Sequence, residues 1–158
     1  MKKSIRQNAS LYAPASGRTI SLKEVSDPVF RDELIGRGIA ILPEDGTVSA
    51  PCSGVIRKIY QSGNAISLSA DSGAEILLQA GICLNHESEL LFYPAASEGM
   101  HIEQGDLLLQ YDLQKVKETG AEPVLLMVIT NPEQYFITCR TGIRVSSEKA
   151  IMKLERRS

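Results

Sequence analysis

The side chains that could do chemistry are two histidines, His86 and His101, three cysteines, Cys52, Cys83 and Cys139, and the carboxamides Asn64 and Gln79. An imidazole can act as a base, a nucleophile or a metal ligand. A thiol can attack only as its thiolate. A carboxamide has donors and an acceptor but no proton to exchange near neutral pH. The cysteines are odd in number, widely spaced and without a Cys-x-x-Cys pair, so free thiols in a reducing compartment are expected. His86 precedes Glu87 and Glu89 in a polar stretch with some metal-ligand character, and His101 stands at a strand entry. Both are expected to be ordinary exposed histidines. No cation neighbours Cys83 in sequence to lower its pKa, so it reads as a small residue at a strand end. Ser62 lacks a base that would make it a nucleophile.

Asn64 and Gln79 are positioned by the run from Asn64 to Asn85, which predicts two strands joined by a turn. Residues 64–68 alternate, Ala70-Asp71-Ser72-Gly73 supplies turn chemistry, and Glu75 to Ala80 forms an apolar run of strand length. Symmetric pairing about Asp71-Ser72 would set Asn64 and Gln79 side by side. Ala13-Pro-Ala-Ser-Gly17 recurs as Ala50-Pro-Cys-Ser-Gly54, each time ahead of a β-rich run. This echo fits two similar β units in one sandwich.

Asp27 can cap a short helix with Pro28 at its first position and Gly36 at its end, followed by a strand over Gly38 to Leu42. Two strands are expected about Gln104-Gly105-Asp106. Asp112 should cap a helix over Leu113 to Glu118 closed by Gly120. Pro123 to Thr130 reads as a buried strand, and Tyr135 to Lys153 as one or two more.

Gly73-Ala-Glu-Ile-Leu-Leu-Gln79-Ala-Gly81-Ile82 resembles the phosphorylation-site segment of the glucose-type IIA proteins of the bacterial sugar phosphotransferase system. Asp27-x-Val-Phe with Gly38-Ile-Ala-Ile-x-Pro43, and Glu98 to Asp112, resemble further segments of that family in the same order. The resemblance implies an all-β antiparallel sandwich of the duplicated hybrid-motif type. It also implies a IIA domain over residues 11–154, between an N-terminal tail (1–10) and a polar end (155–158).

In the resembled family a phospho-accepting histidine stands where this chain has Gln79, and a supporting histidine where it has Asn64. The family's Asp and Thr after Gly-Ile are replaced by Cys83 and Leu84. A carboxamide cannot take up a phosphoryl group, because its nitrogen lone pair is delocalised. Amides are also poor zinc ligands. The resemblance therefore implies a protein that binds without transferring phosphoryl groups, with no metal and no cofactor. Alternatives are a relocated acceptor at Cys83, since thiolates serve in the partner IIB components, or a small-molecule binding module floored by the two amides.

By the same resemblance, Asp27, Val29, Phe30, Leu34, Ile35, Ser62, Asn64, Leu77, Gln79, Ile82 and Glu133 would form an acid-ringed apolar docking face. Its partners would be an HPr-like phosphocarrier, a IIB domain, or a regulated enzyme or transporter.

The bulk properties agree. A chain of 158 residues with 43% hydrophobic and 23% charged side chains is one ordinary folded domain. Net charge of -2, without a basic run interleaved with aromatics, argues against a nucleic-acid binder. The start has no apolar segment of a signal peptide, and no run approaches the roughly 18 apolar residues of a membrane span. A cytoplasmic protein with no membrane insertion is expected.

Overall fold

The computed structural model describes residues 8–84 and 91–158. Its strands are β1 (Asn8–Tyr12), β2 (Gly17–Ser21), β3 (Arg37–Pro43), β4 (Thr47–Ser49), β5 (Gly54–Ile59), β6 (Ala65–Ala70), β7 (Glu75–Ile82), β8 (Phe92–Pro94), β9 (His101–Ile102), β10 (Leu107–Tyr111), β11 (Glu122–Ile129), β12 (Tyr135–Cys139), β13 (Arg144–Val145) and β14 (Ala150–Arg156). Two short helices, α1 (Pro28–Arg31) and α2 (Leu113–Glu118), interrupt them. Every strand pairing is antiparallel. The fold is the all-β antiparallel class that the sequence implied.

Eight strands form one sheet in the order β13-β2-β3-β11-β7-β6-β5-β9, and two three-stranded sheets, β1-β14-β12 and β4-β10-β8, pack with it. Read from either end, the large sheet has a two-residue edge strand, then a strand opened by the repeated Ala-Pro-x-Ser-Gly motif, then two more strands, the inner one of eight residues. The proline of each motif copy also accepts from the neighbourhood of the other: Tyr12 N–H, just before the first copy, donates to Pro51 O at 2.9 Å, and Ser49 N–H, just before the second, to Pro14 O at 2.8 Å. The echo in the sequence is thus an internal duplication folded about the β7–β11 pair.

β11 explains why its sequence is an unbroken apolar run. Leu125, Met127 and Ile129 face the main core between the sheets, while Val124, Leu126 and Val128 face a second core on the opposite side. That second core is roofed by Leu22, Val25 and Phe30 from the segment between β2 and β3. Asp27 accepts from Val29 N–H at 2.9 Å and caps α1 with Pro28 behind it, as the sequence indicates. Ser26 ties the roof to the sheet, donating through its hydroxyl and its N–H to Glu122 Oε1. α2 begins at its Asp112 cap, whose carboxylate accepts from Lys115 N–H at 3.0 Å.

Four details differ from the expectations. β1 starts at Asn8, inside the segment expected as tail, because its pairing with β14 extends that far. α1 ends at Arg31, well before Gly36, since Glu33 already turns to φ 57°. The C-terminal part holds three strands, β12, β13 and β14. The β6–β7 loop has three residues, Asp71, Ser72 and Gly73, closed by Ala70 N–H to Ala74 O at 2.8 Å, with Gly73 at φ 101°.

The glycine that closes each motif copy marks a close approach of two strands. A Cβ on Gly17 would lie 2.1 Å from Leu42 O, and one on Gly54 would lie 2.2 Å from Ser69 O. Gly17→Ala and Gly54→Ala should each destabilise the fold by about 1–3 kcal/mol, from forced strand displacement. Urea unfolding of the two variants measures this. A loss under about 0.5 kcal/mol, the usual surface value, would contradict the close approach.

Candidate functional site

The extra loop residue in the β6–β7 hairpin shifts the register by one. Ala65, not Asn64, pairs with Gln79, and Asn64 O accepts from Ala80 N–H at 2.8 Å. A one-residue shift places neighbouring side chains on opposite faces of a sheet. The expected cross-strand pair is therefore not formed in that way. The two carboxamides meet by another route.

Asn64 precedes β6 and follows Gly63, which lies at φ 81°. Its Nδ2 donates to Ala80 O at 3.0 Å and to Gly81 O at 3.5 Å. Gln79 Nε2 donates to Gly81 O at 3.1 Å. Gly81 itself takes φ 87°, a conformation in which a side chain would be strained. Its carbonyl is the shared acceptor that brings both amides together. Ser62 Oγ hydrogen-bonds Asn64 Oδ1, completing the local network. Asn64 is buried, and Gln79 and Ser62 are half-buried.

Gln79 lies at a boundary on the outer face of the large sheet. On one side are Leu77, Leu126 and Val128 beneath the roof of the second core. On the other, the pairings of β5 and β6 continue the face through Ser67 and Lys58, with Lys58 Nζ 5.1 Å from the Tyr60 ring centroid. The sequence reading did not single out Gly81, Lys58, Tyr60 or Ser67. The glycine inside an apolar strand run was the one available signal.

The docking face divides into two groups. Val29, Leu34 and Ile35 are exposed, with Leu34 at 69%, and Asp27 stands beside them as the α1 cap. Phe30 and Ile82, expected in the exposed rim, are instead 6% and 2% exposed within the second core. Their size and apolarity make them the packing of the roof, and this corrects their assignment. Leu77 is half-buried between the two groups. Glu133 is exposed in a 3-10 turn (Pro132–Gln134) set against the hairpin loop, where Asn131 bonds Gly73 O and Glu75 N–H. Glu75 is four residues along β7 from Gln79, about 13 Å at strand rise.

His101 is exposed near the loop end of the hairpin, with Nδ1 3.5 Å from Glu103 and Nε2 3.8 Å from Asp71. Asp71 lies seven residues from Asn64, roughly 20 Å at strand rise. His86, expected to be an ordinary exposed histidine, and Asn85, expected to end the hairpin run, lie outside the described residues. Among the described residues no group of three or more His, Cys, Asp or Glu side chains is placed to hold a metal ion.

The cysteines differ sharply. Burial, helped by the nearby Asp71 carboxylate, pushes the Cys52 thiol up to about 12. Burial likewise raises Cys139 to about 11, with Arg37 opposing and Glu33 adding. Cys83 is exposed, at φ 64°, just beyond the Gly81 carbonyl.

The duplicated antiparallel β-sandwich thus carries two neutral carboxamides on one shared carbonyl, beside an apolar, partly exposed segment. The chain belongs to the family described as phosphoenolpyruvate-dependent sugar phosphotransferase system, EIIA 1, whose model matches residues 9–135. It is 36% identical over 124 residues to a glucose-specific EIIA component of Borreliella burgdorferi, covering 78% of this chain and 66% of that protein. It is 32% identical over 145 residues to a β-glucoside-specific EIIBCA component of Bacillus subtilis, covering 91% of this chain but 24% of that protein. The chain thus spans just under two-thirds of the first relative and about a quarter of the second. Among solved structures it is similar to the glucose permease IIA of Mycoplasma capricolum, with a TM-score of 0.85, 26% identity, and 92% and 95% of the two chains covered.

Two measurements check the site. Asn64→Ala should cost about 1–3 kcal/mol, because it removes the donor to two carbonyls and leaves buried polar groups unpaired. Gln79→Ala should cost less, since water can replace its bond; equal losses would contradict the difference in burial.

Thiol titration of the native protein near pH 8 should show Cys83 reacting fast and Cys52 and Cys139 only after unfolding. Cys83→Ser should abolish the fast phase. The raised thiols also set a sign: their contribution to stability is complete below the ordinary thiol value of 9.0 and is lost as pH rises towards about 11 and 12. Denaturant midpoints should therefore fall above about pH 9.

Proposed function

We propose that this chain is a glucose-type IIA protein of the sugar phosphotransferase system that no longer carries phosphoryl groups and acts by binding another protein. The observation that carries this reading is the pair of carboxamides held on the Gly81 carbonyl; the family resemblance assigns to these two positions the histidines of its phosphocarriers. Phosphoryl acceptance needs a nucleophilic atom with an available lone pair. The Gln79 amide nitrogen has its lone pair delocalised into its own carbonyl, so it is no nucleophile, and it donates to the Gly81 carbonyl.

The family resemblance supplies the candidate partners: HPr, a IIB domain, or a regulated enzyme or transporter. The exposed Val29, Leu34 and Ile35, beside Asp27, Asp32 and Glu33, suit a partner with an apolar centre and a basic edge. No helix among the described residues is long and apolar enough to cross a membrane, and we place the binding role in the cytoplasm, where the phosphotransferase carriers act.

The exposure of Cys83 favours it over the other cysteines as the acceptor in a second reading, a working carrier with its nucleophile moved. One experiment separates the readings. Incubated with phosphoenolpyruvate, enzyme I and HPr, the protein should remain unlabelled. Stoichiometric acid-labile label on a histidine would overturn the proposal, whereas thiol-linked label that disappears in Cys83→Ser would establish the second reading.

A further inference from the structure

We propose that a groove on the outer face of the small sheet β1-β14-β12, in a different sheet from the two carboxamides, binds a phosphate monoester. Arg140 and Lys153 meet its oxygens, with the hydroxyls of Ser10 and Thr138 as further donors. The site stands whether or not the amide pair binds a partner.

The groove lies where β14 is bulged. Leu11 pairs with Met152 and Tyr12 with Ala150, so the β1 ladder passes over Ile151. An extra residue bends its strand and re-aims the side chains next to it. Ile151 turns into the main core, and its carbonyl accepts from Arg140 N–H at 2.9 Å, just past the end of β12. The result is a groove of about 210 Å³ lined by Ser10, Thr138, Arg140, Ala150, Met152 and Lys153. Ser10 and Thr138 pair with Lys153 from opposite sides, which sets the three exposed side chains in one row across the sheet.

These polar groups are uncommitted. Among the described residues, neither the Arg140 nor the Lys153 side chain forms an ion pair or hydrogen bond, and neither hydroxyl has a hydrogen-bond partner. Neighbouring cations are engaged: Arg144 pairs with Glu44, Arg156 donates to Tyr135 Oη, and Arg157 donates to Tyr135 O and lies over Phe136. The carboxylates nearby are two. Glu155 shares the face with Lys153, about 7 Å along β14, and Glu148 precedes that strand. Residues 135–158 hold six of the 17 Lys and Arg side chains and two of the 19 Asp and Glu side chains. This end is therefore basic in a chain whose net charge is -2.

The donors select the ligand class. Arginine offers five N–H groups, lysine three, and each hydroxyl one O–H. A phosphate monoester brings three acceptor oxygens and a charge of roughly -1.5 to -2, which two cations balance. A carboxylate carries one charge and two oxygens, and would leave one cation unmatched. The walls are mostly carbon while Arg140 and Lys153 are exposed, so their stems line the groove and their charged heads stand at its mouth. The carbon body of the ester then packs on the walls and its phosphate meets the heads.

The test titrates phenyl phosphate into the full chain and follows backbone amides by NMR. Shifts should centre on Ser10, Thr138, Arg140 and Lys153. Arg140→Ala and Lys153→Ala should each weaken binding about tenfold or more, the loss of a hydrogen bond to a charged group. Lys149→Ala removes a cation that does not line the groove and should change affinity by less than about twofold, since exposed charges are screened. Ala150→Leu fills the groove, keeps both cations and should abolish binding; urea midpoints verify that each variant folds. A parallel series with vesicles of phosphatidic acid against phosphatidylcholine separates the sources. Binding of phenyl phosphate with these losses assigns a soluble ester. Binding to phosphatidic acid vesicles alone, with the same dependence on Arg140 and Lys153, assigns a lipid headgroup. No binding in either arm overturns the site. So does an equal loss in Lys149→Ala or full binding by Ala150→Leu, because general charge attraction would then suffice. Benzoate bound as tightly as phenyl phosphate overturns the choice of phosphate.

Discussion

The pairing of β7 with β11 is the constraint on which the rest of the structure depends. Each strand belongs to one half of the duplicated sheet, and Ile76 to Ala80 pair with Leu125 to Ile129 to join them. Both faces of β11 are buried, so its backbone can bond only to the strands beside it. Ile82 pairs with Glu122 and Ala80 with Leu125, so the ladder is bulged about Pro123, which has no N–H to contribute, and Val124. Next to that bulge Gly81 turns to positive φ and presents its carbonyl to the two amides. The site is thus a consequence of how the central pair ends.

An imidazole pair and a carboxamide pair make different demands on the same frame. Histidines hold a proton whose transfer can be tuned by neighbours. Asn64 and Gln79 are neutral at every physiological pH, and their geometry is fixed by which atoms donate. With carbonyl oxygens at Ala80 and Gly81, the amide nitrogens must face inward. The Gln79 and Asn64 amides themselves are accordingly uncharged, beside a segment whose apolar side chains alternate with Arg31–Asp32 and Arg37–Glu33 ion pairs. The same roof that packs the second core through Leu22, Val25 and Phe30 exposes Val29, Leu34 and Ile35. One short segment thus supplies both buried packing and exposed apolar side chains.

Sequence patterns carried most of the architecture because they were local. The Asp27 and Asp112 caps, the apolar run of β11 and the doubled Ala-Pro-x-Ser-Gly motif each follow from short-range stereochemistry. The assignments of Phe30 and Ile82 to an exposed rim failed for the complementary reason. Apolar residues beside a docking patch and apolar residues under it look alike along a chain. Only the packing of the roof on β3, β7 and β11 separates them.

What the sequence by itself determined is that Asn64 and Gln79 are amides, that two β units are duplicated, and that a hairpin links the amides. These are matters of residue type and local turn chemistry. Tertiary structure alone decided the register, because one extra residue in the Asp71–Gly73 loop exchanges the faces of a strand whose side-chain period is two. It alone decided that the amides meet on the Gly81 carbonyl, since that acceptor is backbone and its direction is set by a dihedral no side chain records. It alone set Glu133 and His101 towards the other end of the hairpin, because distances between segments depend on strand pairing, which sequence separation does not measure.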